Sequence, residues 1–254
     1  MRRKRKKQLA EALAHARGNG GDTRDGGLAL YDQSSDLLQV LRPGLTEGIR
    51  RLVARLEATE KGAIPGVLGV TSALSGEGVT FVSRGLGAVI ANDMGRSIVV
   101  VELNWARPVS PTSGIGIAQV LTGEATLKEA LRPTVIDGFD LLSAGVSSVA
   151  QRPVLARSAA LVQVINELQS LYEHVVLDLP AVLATSDALT LAGRAEAVAL
   201  VVRQGITGEP QVKRALSELD HIALLGVIIN QWSSPIPKRL LAGLSPWIDA
   251  ANGG

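Results

Sequence analysis

Val67-Leu68-Gly69-Val70-Thr71-Ser72-Ala73-Leu74-Ser75-Gly76-Glu77-Gly78-Val79-Thr80 decides how this chain of 254 residues is to be read. Residues 67–71 form an apolar run of strand length, residues 75–78 a glycine-rich turn, and the pattern over 80–94 predicts a helix. Strand, tight turn and helix in that order bring backbone N–H groups and the positive end of a helix dipole to one point, which suits a phosphate group. Thr80 stands where the hydroxyl of such a loop meets Mg²⁺. The lysine that belongs just before that hydroxyl is missing, and Val79 takes its place. The scaffold of a nucleotide site is present without its main cation.

Outward from this stretch, strands and helices alternate. Strands are predicted at 67–71, 98–101, 139–143, 175–178, 197–202 and 224–229. Helices are predicted at 80–94, 116–121, 127–131, 158–172, 187–192 and 209–219. The β-branched run 98–101 and the apolar run 175–178 read as central parallel strands covered on both faces. The alternation predicts an α/β fold, a doubly wound and mostly parallel sheet flanked by helices. Four regions follow: a basic tail and glycine-rich linker over 1–27, a helical lead-in over 28–62, the α/β domain over 63–236, and a tail over 237–254. In the lead-in, Leu45, Ile49, Leu52, Val53 and Leu56 share a helical face after Pro43. Helical segments are also expected near 8–14 and 237–250.

Apolar residues make up 46% of the chain, enough for a large core, while aromatics are only 3%, so that core is built from Ala, Val, Leu and Ile. The absence of cysteine excludes a disulfide framework, a thiolate metal site and a cysteine nucleophile. Three scattered histidines lack metal-ligand spacing. No apolar run reaches the roughly 18–20 residues that span a bilayer. Arg2, Arg3, Lys4, Arg5, Lys6 and Lys7 carry more positive charge than the net +2 of the chain, so the remainder is acidic overall. That basic run reads as a solvated end, as a contact for anionic lipid or an acidic partner, or as a phosphate contact in nucleic acid. No aromatic lies beside it to stack on bases, which argues against specific nucleic-acid recognition.

Ligands of doubly wound sheets sit beyond the carboxyl ends of the strands. Asp178 ends an apolar strand there, where a carboxylate holds Mg²⁺ through water; Glu102 and Asn104 follow residues 98–101, and Asn230 follows the last strand. Together with Gly76, Gly78 and Thr80 they read as a P-loop site.

On these residues the chain resembles the bacterial tyrosine kinases (BY-kinases) of capsule and exopolysaccharide synthesis, P-loop ATPases related to the partitioning-type ATPases. The likeness runs through most of 44–231. Residues 71–80 resemble the family's Walker A segment. Gly95-Arg96-Ser97 and Val99-Val100-Val101-Glu102-Leu103-Asn104-Trp105-Ala106-Arg107-Pro108 resemble its second Walker segment. Val175-Val176-Leu177-Asp178-Leu179-Pro180 resembles Walker B, Ser186-Asp187-Ala188 the motif after it, and Gly226-Val227-Ile228-Ile229-Asn230 the closing strand. The resemblance gives Ser75, Gly76, Glu77, Gly78, Val79, Thr80 and Phe81 to the phosphates of ATP, Asn230 to the adenine, and Thr80 with Asp178 to Mg²⁺. Glu102, Asn104 and Asp178 stand at its catalytic positions, and Glu47 with Arg50 in its self-association helix, which implies a homo-oligomer.

The departures fall on the chemistry. Val79 replaces the lysine, Glu102 and Asn104 replace two aspartates, Ala106 replaces an arginine, and Val53 stands where the self-association helix has another arginine. Tyr31 and Tyr172 are the only tyrosines, so the family's tyrosine cluster has no counterpart in this sequence. Arg84, one helical turn past Thr80, is expected to point away from the phosphates, while Arg107 and Arg152 lie on loops as candidate cations. The reading that follows is a BY-kinase-like protein with impaired or lost kinase activity and weakened ATP and Mg²⁺ binding. It would act with a membrane-anchored polysaccharide co-polymerase or adaptor from the cytoplasmic face of the membrane, with residues 2–7 on anionic lipid. The alternatives are an active ATPase or tyrosine kinase with a rearranged site, and a partitioning-type regulatory ATPase.

Overall fold

The computed structural model describes residues 28–32, 37–41, 43–58, 64–108 and 114–230. The expected segments at 8–14 and 237–250, the basic residues 2–7, the linker and the boundary at residue 63 lie outside the described residues.

Two strands open the described chain, β1 (Leu28–Asp32) and β2 (Leu37–Leu41), paired antiparallel with Leu28 opposite Leu41. This corrects the reading of 28–62 as a helical lead-in. Apolar runs of five residues carry too little periodicity to separate strand from helix, and only the part after Leu41 is helical. Helix α1 (Pro43–Glu57) begins at the proline, whose fixed φ suits a first helical turn. It buries Ile49, Val53 and Leu56, spaced four and three apart, and Arg50 clamps the carboxylate of Asp93 at 2.6 and 3.3 Å.

The main body is a seven-stranded sheet: β3 (Val67–Ser72), β4 (Ile98–Glu102), β5 (Leu131–Pro133), β6 (Phe139–Leu142), β7 (His174–Asp178), β8 (Ala197–Arg203) and β9 (Leu224–Asn230). Their spatial order is β5-β6-β4-β7-β3-β8-β9, and every pairing is parallel except β5 with β6. Among the described residues, helices α2 (Val79–Met94), α3 (Ile117–Thr122), α4 (Leu127–Ala130), α5 (Arg152–Arg157), α6 (Ala159–Leu171), α7 (Asp187–Ala192) and α8 (Glu209–Glu218) connect them. Two of these elements were not foreseen. Leu131 leaves the helix read over 127–131 and starts the edge strand β5, where Pro133 is tolerated because an edge leaves donors unused. Helix α5 is short and carries Pro153 in its first turn.

Alternation along each central strand splits the core in two. Leu68, Val70, Ile98, Val100 and Val176 face α1 and α2. Val67, Val99, Val101, Val175 and Leu177 face α3, α6, α7 and α8. The chain leaves β3 across β7 to reach β4 and later lays β8 on the other side of β3, so the winding reverses at β3. The carboxyl ends of β3, β4 and β7 therefore meet at the place where such sheets bind ligands.

Gly87 lets α2 lie close on the sheet: a Cβ there would come 2.6 Å from the Phe139 ring and 3.0 Å from Val100. Alanine improves helix propensity by about 1 kcal/mol, while overpacking a rigid core costs about 1–3 kcal/mol. Gly87→Ala should therefore destabilise the protein, seen as a lower denaturant midpoint with an unchanged slope; a rise in the midpoint would show that Phe139 yields freely.

Candidate functional site

The loop after β3 is shaped by its own side chains. Thr71 Oγ1 donates to the carbonyl of Pro180 at 2.7 Å, tying β3 to the loop after β7, and Ser72 Oγ donates to the Leu74 carbonyl at 2.8 Å. Glu77 is only 1% exposed and turns inward. Its carboxylate accepts from the Leu74 N–H at 2.8 Å and from the Thr207 hydroxyl. The same hydroxyl oxygen accepts from the Arg203 N–H at 2.9 Å. Asn230 Nδ2 donates to the Glu77 carbonyl at 2.8 Å. Gly76 and Gly78 have φ of 86° and 97°, and a Cβ on Gly78 would lie 2.1 Å from Asn230 Nδ2, so both conformation and space demand glycine there.

Ahead of the loop opens a cleft of about 310 Å³. Of the residues expected at phosphate, Ser75, Gly76, Gly78, Val79, Thr80 and Phe81 line it; of the catalytic positions, Asn104 does. Glu77 and Asn230 stand behind the loop: the asparagine assigned to adenine spends its amide on the Glu77 backbone. Val79 is 9% exposed and joins the apolar cluster of Val82, Leu86 and Leu68, so it plugs the floor of the cleft against the sheet. Of the candidate cations, Arg107 lines the cleft, and Arg152 lines a neighbouring one with Trp105.

Beneath the floor lie the acids. Glu102 and Asp178 are direct register partners at the ends of β4 and β7, on the side of the sheet that faces α2. Arg84 does point away from the cleft, as expected, and it points at them. Its Nη2 donates to Glu102 Oε1 at 2.5 Å, and the two residues are 6% and 3% exposed. The other Glu102 oxygen accepts weakly from the Ala144 N–H at 3.4 Å. Asp178 is fully buried, takes a hydrogen bond from the Thr80 hydroxyl, and has no partner for Oδ1 among the described residues. Its pKa is pushed up to about 7, first by burial and further by the neighbouring Glu102 charge, against the Thr80 hydrogen bond and the Arg84 charge, which lower it.

This geometry fits a phosphate better than a divalent metal. The loop N–H groups and the α2 amino end offer a fixed anion cradle. A Mg²⁺ ion needs near-octahedral oxygen ligation and is usually helped by carboxylates. Here the Glu102 carboxylate is spent on Arg84, which leaves Asp178 and the Thr80 hydroxyl as the nearby oxygen donors. In the expected self-association helix, Glu47 pairs with Arg51 at 3.3 Å and Arg50 with Asp93, both within the chain.

Sequence reasoning missed Thr207 and the role of Arg84. Thr207 gave no signal, since it lies in a loop 130 residues beyond Glu77. Arg84 did give one: it is the single charge in the apolar stretch 82–90, and a helix that buries an arginine must supply a carboxylate.

Comparison with known proteins places this geometry. The chain is 30% identical over 213 residues to the tyrosine-protein kinase Wzc of Salmonella typhi, covering 80% of this chain and 29% of that protein. The chain is similar to the bacterial tyrosine kinases and has the P-loop fold. It is also 24% identical over 239 residues to the succinoglycan biosynthesis transport protein ExoP of Rhizobium meliloti, covering 91% of the chain and 30% of that protein. It thus spans about three tenths of the length of these two relatives. Among solved structures, the VpsO kinase domain matches with a TM-score of 0.67 and 25% identity over 74% of this chain and 94% of that one. Cobyrinic acid a,c-diamide synthase from Mycobacterium smegmatis, solved with an ATP analog and magnesium, shares the fold at a TM-score of 0.55 and 21% identity, over 72% of this chain and 82% of that one. No family model matches the chain. Among the described residues, no helix is long and apolar enough to cross a membrane.

Asp178 makes stability depend on pH. Its folded pKa lies above its ordinary value of 3.8, so below that value both states are protonated and nothing is lost. As pH rises from about 4 to about 7 the unfolded chain gives up the proton first, and stability falls until the folded pKa is passed. Asp178→Asn removes this penalty, so its stability relative to wild type should rise over that window and level off above it, read as the difference in denaturation midpoints. A flat difference would show that Asp178 titrates normally.

Proposed function

We propose that this chain is a BY-kinase-type module that binds a nucleotide weakly, does not transfer phosphate, and serves capsule or exopolysaccharide synthesis through contact with a membrane-anchored co-polymerase or adaptor. One observation carries the reading: the position of the phosphate-binding lysine holds a buried valine, and the acid that ends β4 is locked onto Arg84. The scaffold persists where the chemistry does not. Residues 2–7 would hold the module at the anionic inner face of the membrane, each basic residue adding about 1 kcal/mol near the surface.

The losses can be sized. A hydrogen bond to a charged group contributes about 1.5–3 kcal/mol, so without the lysine ATP should bind roughly ten- to a hundredfold more weakly. A missing donor to the developing charge costs about 2.7–4 kcal/mol more selectively, in the transition state. Asn104, an amide at the mouth of the cleft, cannot accept the proton that an aspartate would take. An active, rearranged site is the second reading, and Arg107 favours it, because its guanidinium lies on the cleft wall and is a cation able to meet a phosphate.

Calorimetric titration with ATP, together with phosphate release and autophosphorylation assays, separates the two. Weak binding without turnover is the expected result, and turnover abolished by Asp178→Ala would establish the second reading instead. Val79→Lys should raise ATP affinity by about tenfold, since the new ammonium reaches the cleft that Val79 already lines; no gain would mean that the cradle does not hold phosphate.

A further inference from the structure

We propose that Arg84 stands in for the divalent cation of this site, so that the cleft takes the phosphates of a nucleoside di- or triphosphate without metal. The proposal rests on the nucleotide reading above and concerns how the same site handles charge.

Glu102 and Asp178 sit opposite one another on adjacent parallel strands, and both are buried. Two carboxylates so placed repel each other, and the ordinary remedy beside a Thr hydroxyl at the start of a helix is a bound cation. This chain carries the remedy covalently. Arg84 lies four residues after Thr80, hence one turn along α2 and on the same side, which is the side that faces the two acids. Its guanidinium binds Glu102 at 2.5 Å and lies close enough to Asp178 to act on its charge. A guanidinium never gives up its proton under ordinary conditions and is more weakly hydrated than an ammonium, so it remains a cation when buried. A Mg²⁺ ion brought to Thr80 and Asp178 would meet that fixed positive charge and would find Glu102 already taken. The second departure agrees with the first: glutamate is one methylene longer than aspartate, the added length serves to reach Arg84, and Asn104 removes a further negative charge from the mouth of the cleft.

An arginine that merely fills space in the core would leave metal dependence untouched, and this separates the two roles. In the unmodified protein, ATP affinity measured by calorimetry should agree within about twofold between Mg²⁺ and EDTA buffers. A loss of more than about tenfold in EDTA would overturn the proposal. The second arm needs no nucleotide. Arg84→Met keeps most of the volume and removes the charge, so Mn²⁺ should bind the variant, by electron paramagnetic resonance, and raise its thermal midpoint, while the unmodified chain shows neither response. Arg84→Met/Glu102→Gln, which removes one acid as well, should lose the Mn²⁺ response again. Mn²⁺ binding to the unmodified chain, or a folded Arg84→Met variant indifferent to Mn²⁺, would overturn the proposal. If Arg84→Met does not fold, the Mg²⁺ and EDTA comparison on the unmodified protein decides alone. If the unmodified protein binds no ATP in either buffer, the nucleotide reading fails, and the Mn²⁺ arm decides the role of Arg84 by itself.

Discussion

Two carboxylates in register at the ends of neighbouring central strands are the constraint on which this molecule turns. A parallel sheet brings β4 and β7 together along their whole length, so Glu102 and Asp178 cannot separate without undoing the pairing. Their charge has to be met in place, in a layer from which water is excluded. Arg84 meets it from α2, and α2 is set by the loop that follows β3. Loop, helix and acid pair are therefore one mechanical unit. Breaking a buried pair by removing one partner typically costs about 3–5 kcal/mol, because the other charge is left stranded. The same pair replaced by well-packed apolar residues would be close to neutral in stability. Its retention is thus not explained by stability alone, and it lies directly beneath the cleft floor.

The loop itself owes its shape to contacts from behind. In a site organised by its ligand, phosphate and lysine draw the backbone N–H groups inward. Here the buried Glu77 carboxylate holds the Leu74 N–H and the Thr207 hydroxyl, and Asn230 holds the Glu77 carbonyl. Those bonds tie the loop to β8 and β9, on the far side of β3 from the acids. The loop is therefore held without a lysine at position 79, and Val79 turns its methyls into the core, where burial is favourable by about 25 cal/mol per Å² of apolar surface.

The fold was legible to the degree that each segment carried its own signal. Runs such as 98–101 and 175–178 are apolar on both faces, which only a covered parallel strand requires, and the winding follows from their alternation with helices. The hairpin of β1 and β2 was misread because five apolar residues fit either period, and β5 because it follows a helix with no residue between them. In the site, Gly76, Gly78 and Thr80 were readable because each is required by local geometry. The inward turn of the Glu77 side chain and the bond from Asn230 to its carbonyl were not legible, since sequence order does not say which face of a turn a side chain takes. Arg84 was read as turned from the cleft, yet its partner sits 18 residues away on β4, and only the packing of α2 on the sheet brings the two together.

Helix α1 shows the same logic at the far end of α2. Glu47 and Arg50, the residues expected from the resemblance to serve self-association, lie on it. Val53 is buried against α2 with Ile49 and Leu56, so this position of the helix is a core contact. Arg50 grips Asp93 through two hydrogen bonds; the carboxylate is held below its ordinary pKa, first by that bond. A partner that recruits Arg50 must break this contact first, and its net gain falls accordingly. The Glu47–Arg51 pair is well exposed on both sides and is a weak competitor, since such surface pairs contribute about 0–1 kcal/mol. An arginine–acid pair thus fixes α2 at two places, the buried Arg84–Glu102 pair below the cleft and the solvent-facing Arg50–Asp93 pair against α1. Helix α2 is the element that both pairs fix.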